Sequence, residues 1–251
     1  MILLVANWKM APDTPKAALA LAKKTAAIAR TTKKKVNLVV CPPSIYIPSI
    51  TKYIRPAVLG AQHTASTDTV ASTGLVSAAM LKSAGVGYCI VGHSEARARG
   101  ETNEVVKTQL DHLLTKKIIP IVCVGEKERD AQGWYLSSIK DQLESAFANV
   151  PKAALKRIVI AYEPVWAIGK NAVREATPGE CGEMIIFIRK IISDLYNGEK
   201  ISIRILYGGS VTPENAGMFI TDGKAEGLLV GRTSLDSKGF AMLASRIAEV
   251  S

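Results

Sequence analysis

Ile158-Val159-Ile160-Ala161-Tyr162-Glu163-Pro164 is an apolar run that stops abruptly at a carboxylate, and it gives the clearest indication of the architecture. A continuous run of Ile, Val and Ala is typical of a strand buried on both faces of a parallel sheet. Pro164 has no N–H for a sheet ladder, so we expect the strand to end near Glu163. The pattern predicts a parallel strand over residues 158–161 that brings a carboxylate to its carboxyl end.

Similar apolar runs recur along the chain, and amphipathic segments separate them. Some of these segments begin with a Thr-Pro pair, at Thr14, Thr177 and Thr212. Threonine there can cap a helix whose first position is proline, and Glu180 would complete a capping box with Thr177. The expected strands are residues 2–6, 36–41, 59–61, 88–91, 118–124, 158–161, 203–207 and 227–230.

The alternation of eight expected strands with helices over 251 residues matches a (β/α)8 barrel. A doubly wound open sheet is the alternative, but it usually has fewer strands and a glycine-rich turn after the first one. Here Asn7-Trp8-Lys9 follows the first strand, and no linker or tandem repeat divides the chain. We predict one α/β domain, a (β/α)8 barrel over residues 1–251.

The charge and hydropathy of the chain limit its possible partners. A net charge of +10 can steer phosphorylated metabolites, or it can attract nucleic acid or a membrane surface. Aromatic residues make up only 6% of the chain and are not interleaved with basic ones, which disfavours a nucleic-acid platform. No apolar run has the length of a membrane span or the layout of a signal peptide. We expect a cytoplasmic protein with no nucleic-acid and no membrane partner.

The thiols and imidazoles do not suggest a metal or redox site. No C-x-x-C pair occurs, and most cysteines lie in apolar runs, so we interpret them as buried free thiols. We interpret His63 and His112 as structural, since no His pair has metal-ligand spacing. We expect no metal and no cofactor. The cysteines are Cys41, Cys89, Cys123 and Cys181.

Polar residues at two strand ends suggest acid–base chemistry. Asn7 and Lys9 are two apart on one extended run, so we expect both side chains to face the same way. Lysine there offers a positive charge to a phosphate or a developing oxyanion. His93 follows another strand and precedes Ser94, which is a good N-cap. The start of a helix at that point would keep the imidazole neutral and able to polarise a carbonyl.

Glu163 is followed by an apolar segment that is unusual for a solvated loop. We interpret this segment, residues 164–169, as a lid that covers a ligand and excludes water. A carboxylate beneath the lid would lose solvation and become more basic, as the removal of a carbon-bound proton requires. The lid residues are Pro164, Val165, Trp166, Ala167, Ile168 and Gly169.

Two glycine-containing turns predict a phosphate site. Gly208-Gly209-Ser210 follows the seventh expected strand, and Gly231-Arg232-Thr233-Ser234 follows the eighth. Glycine lets the backbone approach an anion closely, and phosphate sites of (β/α)8 barrels commonly lie after these two strands. We call these two turns the phosphate cradle.

With these segments in order, the chain resembles the triosephosphate isomerase family over essentially its whole length. That resemblance implies a TIM barrel, usually a homodimer, that interconverts dihydroxyacetone phosphate and D-glyceraldehyde 3-phosphate in glycolysis and gluconeogenesis without cofactor or metal. The small phosphorylated triose would be its partner. The matching segments are Ala6-Asn7-Trp8-Lys9-Met10, Val91-Gly92-His93-Ser94-Glu95, Ala161 to Gly169, Tyr207-Gly208-Gly209-Ser210-Val211 and Leu229-Val230-Gly231.

The resemblance also implies a role for each site residue. Glu163 would move a proton between two carbons, and neutral His93 would move protons between two oxygens. Lys9 would stabilise the enediolate with Asn7 as a further donor, while Glu95 would hold the electrostatic network around Lys9. The remaining groups would be the phosphate-binding N–H groups of Gly169, Ser210, Gly231 and Arg232, and the side chains of Ile168 and Leu229 that clamp Glu163.

Three departures from the family pattern are specific to this chain. The hinge after the lid, residues 170–176, is longer than usual, and we expect it to change the kinetics of lid closure. Arg232 replaces a glycine of the cradle, which keeps the N–H and adds a positive charge. Leu75 and Ala96 replace an ion pair at the dimer contact of the family, so the contact here would be apolar.

Two alternative functions are weighed against the isomerase. Another phosphate-binding barrel enzyme, such as a sugar-phosphate epimerase or an indole-pathway synthase, would lack the lid pattern that starts at Glu163. A basic binding protein on a barrel scaffold would be expected to have damaged catalytic positions, and none is seen in the sequence.

Overall fold

The computed structural model describes residues 1–169 and 172–251, and its eight strands form a closed parallel barrel. Each strand pairs with the next one in sequence, and β8 closes the barrel against β1. The predicted (β/α)8 barrel is therefore confirmed. The strands are β1 (Ile2–Asn7), β2 (Val36–Cys41), β3 (Val58–Ala61), β4 (Tyr88–Val91), β5 (Ile119–Val124), β6 (Val159–Tyr162), β7 (Arg204–Tyr207) and β8 (Gly227–Val230).

Helices connect the strands around the outside of the barrel, and short 3-10 turns lie at Ser44–Tyr46, Lys152–Arg157, Val165–Ala167 and Arg232–Leu235. None of the helices within the described ranges is long and apolar enough to cross a membrane. The helices are α1 (Pro15–Thr32), α2 (Ile47–Ile50), α3 (Ala78–Ser83), α4 (Ser94–Ala98), α5 (Asn103–Thr115), α6 (Tyr135–Phe147), α7 (Pro178–Leu195), α8 (Ala216–Thr221) and α9 (Ser237–Glu249).

Two of the three predicted Thr-Pro helix starts are confirmed. Thr14 caps α1, and Thr177 caps α7 through a complete capping box with Glu180. The start predicted at Thr212 is wrong, because α8 begins at Ala216. The side chain of Asn215 accepts the Thr212 N–H at 2.9 Å, so the chain makes a turn before the helix forms.

Alternate residues of each strand point to opposite faces of the barrel wall, and both faces are buried. Leu3, Val5 and Leu206 belong to a cluster inside the barrel, whereas Leu4 and Ala6 pack in the larger cluster with the helices. All four cysteines are buried and free, as predicted. This double burial explains why the strands read as continuous apolar runs rather than as alternating ones.

Candidate active site

A cavity of about 820 Å³ opens at the carboxyl ends of the strands. Glu163 follows β6 directly, and its backbone N–H extends the pairing of that strand by donating to Val124 O at 2.8 Å. Pro164 then interrupts the pairing, since it has no N–H to donate. The Glu163 side chain is left at the cavity wall, only 3% exposed.

Glu163 and His93 meet at this wall. The Glu163 Oε1 atom lies 3.2 Å from the His93 Nε2 atom, and the Glu163 Oε2 atom accepts the Ser94 N–H at 2.8 Å. One carboxylate oxygen therefore faces the imidazole while the other is held by the backbone at the start of α4. The sequence did not single out the Ser94 N–H as a partner of Glu163, because only the fold brings the ends of β4 and β6 together.

The hydrogen bonds of His93 assign its tautomer. The His93 Nδ1 atom accepts the Glu95 N–H at 3.2 Å, so that nitrogen carries no proton and the ring is neutral, with its hydrogen on Nε2. Nε2 is the nitrogen that faces Glu163. The cap of α4 is His93 itself, so the expectation that Ser94 is the N-cap was wrong by one position. The ring nitrogen takes the place of a serine oxygen as the acceptor.

The backbone at Lys9 differs from the expected extended run. β1 ends at Asn7. Lys9 has φ +52°, which lies in the left-handed region of the backbone that residues other than glycine rarely adopt. The Lys9 N–H donates to Asn7 Oδ1 at 3.0 Å, and Gln62 Nε2 donates to the Lys9 carbonyl at 2.8 Å. These bonds hold the strained backbone, and both Asn7 and Lys9 line the cavity.

Glu95 lies beside Lys9 rather than in the cavity wall. Its Oε1 atom is 2.6 Å from Lys9 Nζ. Burial acts to raise the pKa of Glu95, but the hydrogen bond and the charge of Lys9 outweigh it and lower that pKa below its usual value. Glu95 is therefore ionised at neutral pH and fixes the direction of the Lys9 side chain.

The phosphate cradle closes around the Lys9 side chain. A Cβ at Gly231 would lie 3.1 Å from Lys9 Cε, and a Cβ at Gly209 would overlap the Tyr207 hydroxyl. The two turns of the cradle are tied together, since Thr233 Oγ1 donates to Val211 O at 2.7 Å. Close approach thus requires glycine at position 209 and leaves little room for a side chain at position 231, which fits a loop built to surround a small anion.

Arg232 follows Gly231 at the start of the last 3-10 turn. It has no positive φ, so replacing glycine by arginine does not strain the backbone there. Its side chain is exposed and lines the cavity together with Ser210. The structure thus places a positive charge beside the cradle.

The lid is anchored at its base and open at its tip. Trp166 and Ala167 are buried, and Trp166 Nε1 donates to Glu126 Oε1 at 2.7 Å. At the tip, Ile168 is half-buried and Gly169 is exposed with φ +80°, and both line the cavity near Leu229. Ser210 Oγ donates to Ala167 O at 3.0 Å, which joins the lid to the cradle.

Glu126 is a lid anchor that sequence reasoning missed. It is buried after β5 and also accepts the Tyr162 hydroxyl at 2.9 Å. The available signal was a carboxylate close to the end of a buried strand, since only Gly125 separates Glu126 from β5. Lys170 and Asn171, the first residues of the longer hinge, lie outside the described residues. Of the two residues expected at an apolar dimer contact, Leu75 is exposed and Ala96 is half-buried.

The side chains that line the cavity are those of a proton-transfer site. Within residues 1–169 and 172–251, no group of three or more His, Cys, Asp or Glu side chains could hold a metal ion. A buried carboxylate, a neutral imidazole and an ammonium group converge there beside an anion-binding backbone. This set suits the removal of a proton next to a carbonyl on a phosphorylated substrate.

Comparison with known proteins gives one consistent result. A family model described as "Triosephosphate isomerase" matches residues 2–247. A triosephosphate isomerase of Caldanaerobacter subterraneus subsp. tengcongensis is 37% identical over 246 residues, which cover 96% of this chain and 97% of the relative. One of Methylococcus capsulatus is 36% identical over 98% of each chain, and one of Thermoanaerobacter pseudethanolicus is 37% identical over 96% of this chain and 97% of its own.

Proposed function

The chain belongs to the triosephosphate isomerase family, and from that premise we propose which of its residues carry out the reaction. It is an isomerase that interconverts dihydroxyacetone phosphate and D-glyceraldehyde 3-phosphate. We propose that residues 1–251 act as one catalytic domain. The observation that carries the assignment of roles is the approach of Glu163 to the neutral nitrogen of His93, 3.2 Å apart in one cavity.

Glu163 is the base of the reaction in this proposal. Its carboxylate takes a proton from the carbon next to the carbonyl, which leaves an enediolate, and returns the proton to the neighbouring carbon. The carboxylate is almost fully buried, so little water surrounds it when it accepts the proton. It leaves the Ser94 N–H to do so, since that bond otherwise occupies one of its oxygens.

His93 acts on the oxygens of the substrate. Its Nε2–H donates to the carbonyl oxygen, and the Glu95 N–H on Nδ1 keeps the ring neutral. A neutral donor can protonate one oxygen of the enediolate and recover a proton from the other. Charge develops on those oxygens, so a hydrogen bond aimed at them is stronger in the transition state than in the ground state.

Lys9, Asn7 and Glu95 supply the electrostatic part of the site. Lys9 stabilises the negative enediolate and attracts the phosphate dianion, and Glu95 holds its ammonium group in place. Asn7 uses Oδ1 to bind the Lys9 N–H, which leaves its amide nitrogen as a donor toward the cavity. The strained backbone at Lys9 is thus part of the positioning of the charge.

The phosphate group is held by the cradle and covered by the lid. The backbone N–H groups of Gly169, Ser210, Gly231 and Arg232 bind its oxygens, so that binding energy from the phosphate positions the reacting carbons. Ile168 and Leu229 enclose the Glu163 carboxylate when the lid closes. Exclusion of water protects the enediolate from losing its phosphate.

A kinetic comparison of Glu163→Asp with the unchanged chain tests this assignment. Shortening the side chain by one methylene withdraws the base from the carbon, and we expect the turnover to fall by about 10²-fold or more. Binding of a phosphate analogue should be largely retained. Glu183→Asp, on the exposed side of α7, is the matched control and should keep full activity. An active Glu163→Asp enzyme would defeat the role of Glu163.

The alternatives are separated by simple assays. A different phosphate-binding barrel enzyme would fail to interconvert the two triose phosphates. A basic binding protein would be retained on DNA in a salt-dependent manner and would show no isomerase activity.

We propose that the chain works as a homodimer in the cytoplasm. Large apolar side chains are exposed after three neighbouring strands, with Met10 94%, Ile45 78% and Leu75 48% exposed after β1, β2 and β3. A second copy seated on this side of the barrel would cover them and lie next to Lys9. The free thiols suit a reducing compartment.

A further inference from the structure

Arg174, in the longer hinge, contacts the tryptophan of the lid. Its guanidinium carbon lies 4.6 Å from the centroid of the Trp166 ring. Arg129 lies over the same ring at 5.4 Å. The hinge backbone is also bonded to the lid, since the Val173 N–H donates to Trp166 O at 2.8 Å. Val173 and Arg174 of the hinge therefore pack with the lid around the indole ring.

The same arginine reaches the start of α7. Arg174 Nη1 donates to Glu180 Oε2 at 3.0 Å, and Arg174 Nη2 donates to Glu180 Oε1. This pairing is two-pronged, which gives an arginine–carboxylate pair a defined direction. Glu180 also completes the cap of α7 by accepting the Thr177 N–H at 2.8 Å, so its position is fixed by the helix. Arg174 thus ties the hinge to a rigid element.

Arg174 and Arg129 hold the lid tryptophan in different ways. Arg129 pairs with Glu126 at 3.2 Å and lies 3.4 Å from Glu180, so it belongs to the frame beneath the lid. Arg174 belongs to the hinge itself and must move when the hinge moves. Its contact with Glu180 can therefore exist in one lid arrangement and be lost in another.

The arrangement in which this contact exists is an open one. Gly169 at the lid tip is exposed, Ile168 is only half-buried, and the Glu163 carboxylate is held by the Ser94 N–H. Catalysis requires the lid tip to descend on the cradle and Glu163 to be released. Bonds that stabilise the open arrangement must oppose closure by the same free energy.

We propose that Arg174 is a positioning residue that holds the lid open through its paired contact with Glu180 and its packing on Trp166. It thereby weakens the binding of ligands that require a closed lid and speeds the reopening that releases product. This inference rests on the role of the lid in the proposed function. It assigns a purpose to the longer hinge that distinguishes this chain from the family pattern.

Arg174→Ala tests the inference by kinetics and ligand binding. Without the contact, closure is easier and reopening slower, so we expect the KM and the turnover to fall together. The Kd of 2-phosphoglycolate, a phosphorylated carboxylate that resembles the enediolate, should also fall. The expected decrease is about twofold to fivefold in each, the range for an ion pair that is half exposed to solvent. Arg174→Lys keeps the charge but loses the two-pronged bond, and should give intermediate values.

A direct readout of the lid comes from tryptophan fluorescence in a Trp134→Phe background, which removes the exposed tryptophan and leaves Trp166 with the fully buried Trp8. Arg174→Ala should change the emission of Trp166 before any ligand is added. The matched control is Arg246→Ala, since Arg246 makes an exposed pair with Glu249 at 3.3 Å on α9. That control should leave the emission, KM and turnover unchanged.

The outcomes separate this inference from the proposed function. Unchanged KM, turnover, Kd and emission in Arg174→Ala would overturn the inference alone, and so would a rise in KM and Kd. Absence of isomerase activity in the unchanged chain would instead overturn the proposed function. If Arg174→Ala unfolds at the assay temperature, Arg174→Lys serves as the test. Its KM, turnover and Kd must then be lower than those of the unchanged chain, and equal values would overturn the inference.

Discussion

Arg232 is the residue that best reports on the phosphate end of the cavity. Its side chain lines the cavity, and within the described ranges it has no hydrogen-bond or ion-pair partner. Its positive charge is therefore available to a phosphate dianion, in addition to the N–H that any residue at this position would supply. The side chain should strengthen the binding of the substrate and of the transition state equally, since the phosphate does not change during the reaction.

Arg232→Gly should raise the KM about twofold to fivefold with little change in turnover. The dependence of kcat/KM on ionic strength should weaken as well, because one steering charge is removed. Lys34→Gly removes the same charge from the loop before β2, at the opposite end of the barrel, and serves as the control. Equal effects of the two variants on KM and on the ionic-strength dependence would mean that the net charge of the protein, and not the position of Arg232, determines substrate binding.

The positions of the site residues could be predicted from the sequence, but their backbone conformation and hydrogen-bond partners could not. Glu163, His93 and Lys9 could be predicted as site residues because each follows an apolar strand at a fixed end of the barrel. The left-handed backbone of Lys9 could not be predicted, since it depends on bonds from Asn7 and from Gln62, which is distant in sequence. The contact of Glu163 with the Ser94 N–H could not be predicted either, because the two residues are distant in sequence and only the fold brings them together.

Among the elements, α7 connects stability with the lid. Its capping box joins Thr177 to Glu180, and Glu180 holds Arg174 of the hinge. Loss of the Thr177 hydroxyl removes one cap and loosens the carboxylate that anchors the hinge. The element therefore links the local folding of a helix end to the position of the lid.

Thr177→Ala should lower the free energy of unfolding by about 1 kcal/mol, as loss of an N-cap usually does. It should also lower the KM, as Arg174→Ala does. Thr14→Ala removes a similar cap from α1, so it should lower stability and leave the KM unchanged. Denaturant unfolding and steady-state kinetics on both variants check this. A Thr177→Ala enzyme as stable as the parent would contradict it.

The pH dependence of the lid follows from Glu180. The Arg174 hydrogen bond is the main cause that lowers the pKa of Glu180 from 4.5 to about 2. A carboxyl whose pKa is lower in the folded state contributes stability above its ordinary pKa and loses it as the pH falls through its folded pKa. The contact with Arg174 should therefore persist throughout the neutral range and fail only in acid.

The fluorescence of the two tryptophans that remain in the Trp134→Phe background, Trp166 and Trp8, should stay constant from neutral pH down to about 4.5 and change between there and about 2. In Arg174→Ala this change should be lost, because the contact that Glu180 makes with the hinge is already gone. A transition near the ordinary pKa of histidine would show that another group controls the lid.

The strands of this chain follow from its hydrophobic pattern, whereas the start of α8 depends on packing and side-chain hydrogen bonds. Strands were predictable because burial on both faces makes them continuously apolar. The start of α8 was not, because the Asn215 side chain takes the Thr212 N–H and delays the helix. Glu126 and Arg129 form the frame beneath the lid, yet they belong to no recognisable sequence motif.

In the molecule as a whole, three large apolar side chains are exposed in the segments that follow three adjacent strands. They are Met10, Ile45 and Leu75, and Met10 is the neighbour of Lys9 in the sequence. The family resemblance implies an ion pair at the positions of Leu75 and Ala96, so the proposed contact between copies would be apolar here. Burial of these side chains is what we expect to stabilise the dimer.

Leu75→Lys should convert the dimer to monomers, because it places a charge in an apolar contact without a partner. In the proposed dimer the second copy lies next to Lys9, so the activity should fall as well. Val250→Lys, at a similarly exposed apolar residue after α9, should leave the dimer intact. Light scattering during gel filtration measures both. A monomeric parent chain, or a dimeric Leu75→Lys variant, would contradict the proposed assembly.

The central claim is that Glu163 moves a carbon-bound proton while neutral His93 serves the oxygens. Proton NMR of dihydroxyacetone phosphate in D₂O tests it most directly. The parent chain should place deuterium on the carbon next to the carbonyl as it forms the aldehyde. Glu163→Gln should bind the substrate and exchange none of its carbon-bound hydrogen. Exchange at the parent rate in Glu163→Gln would contradict the account, because another group would then be the base.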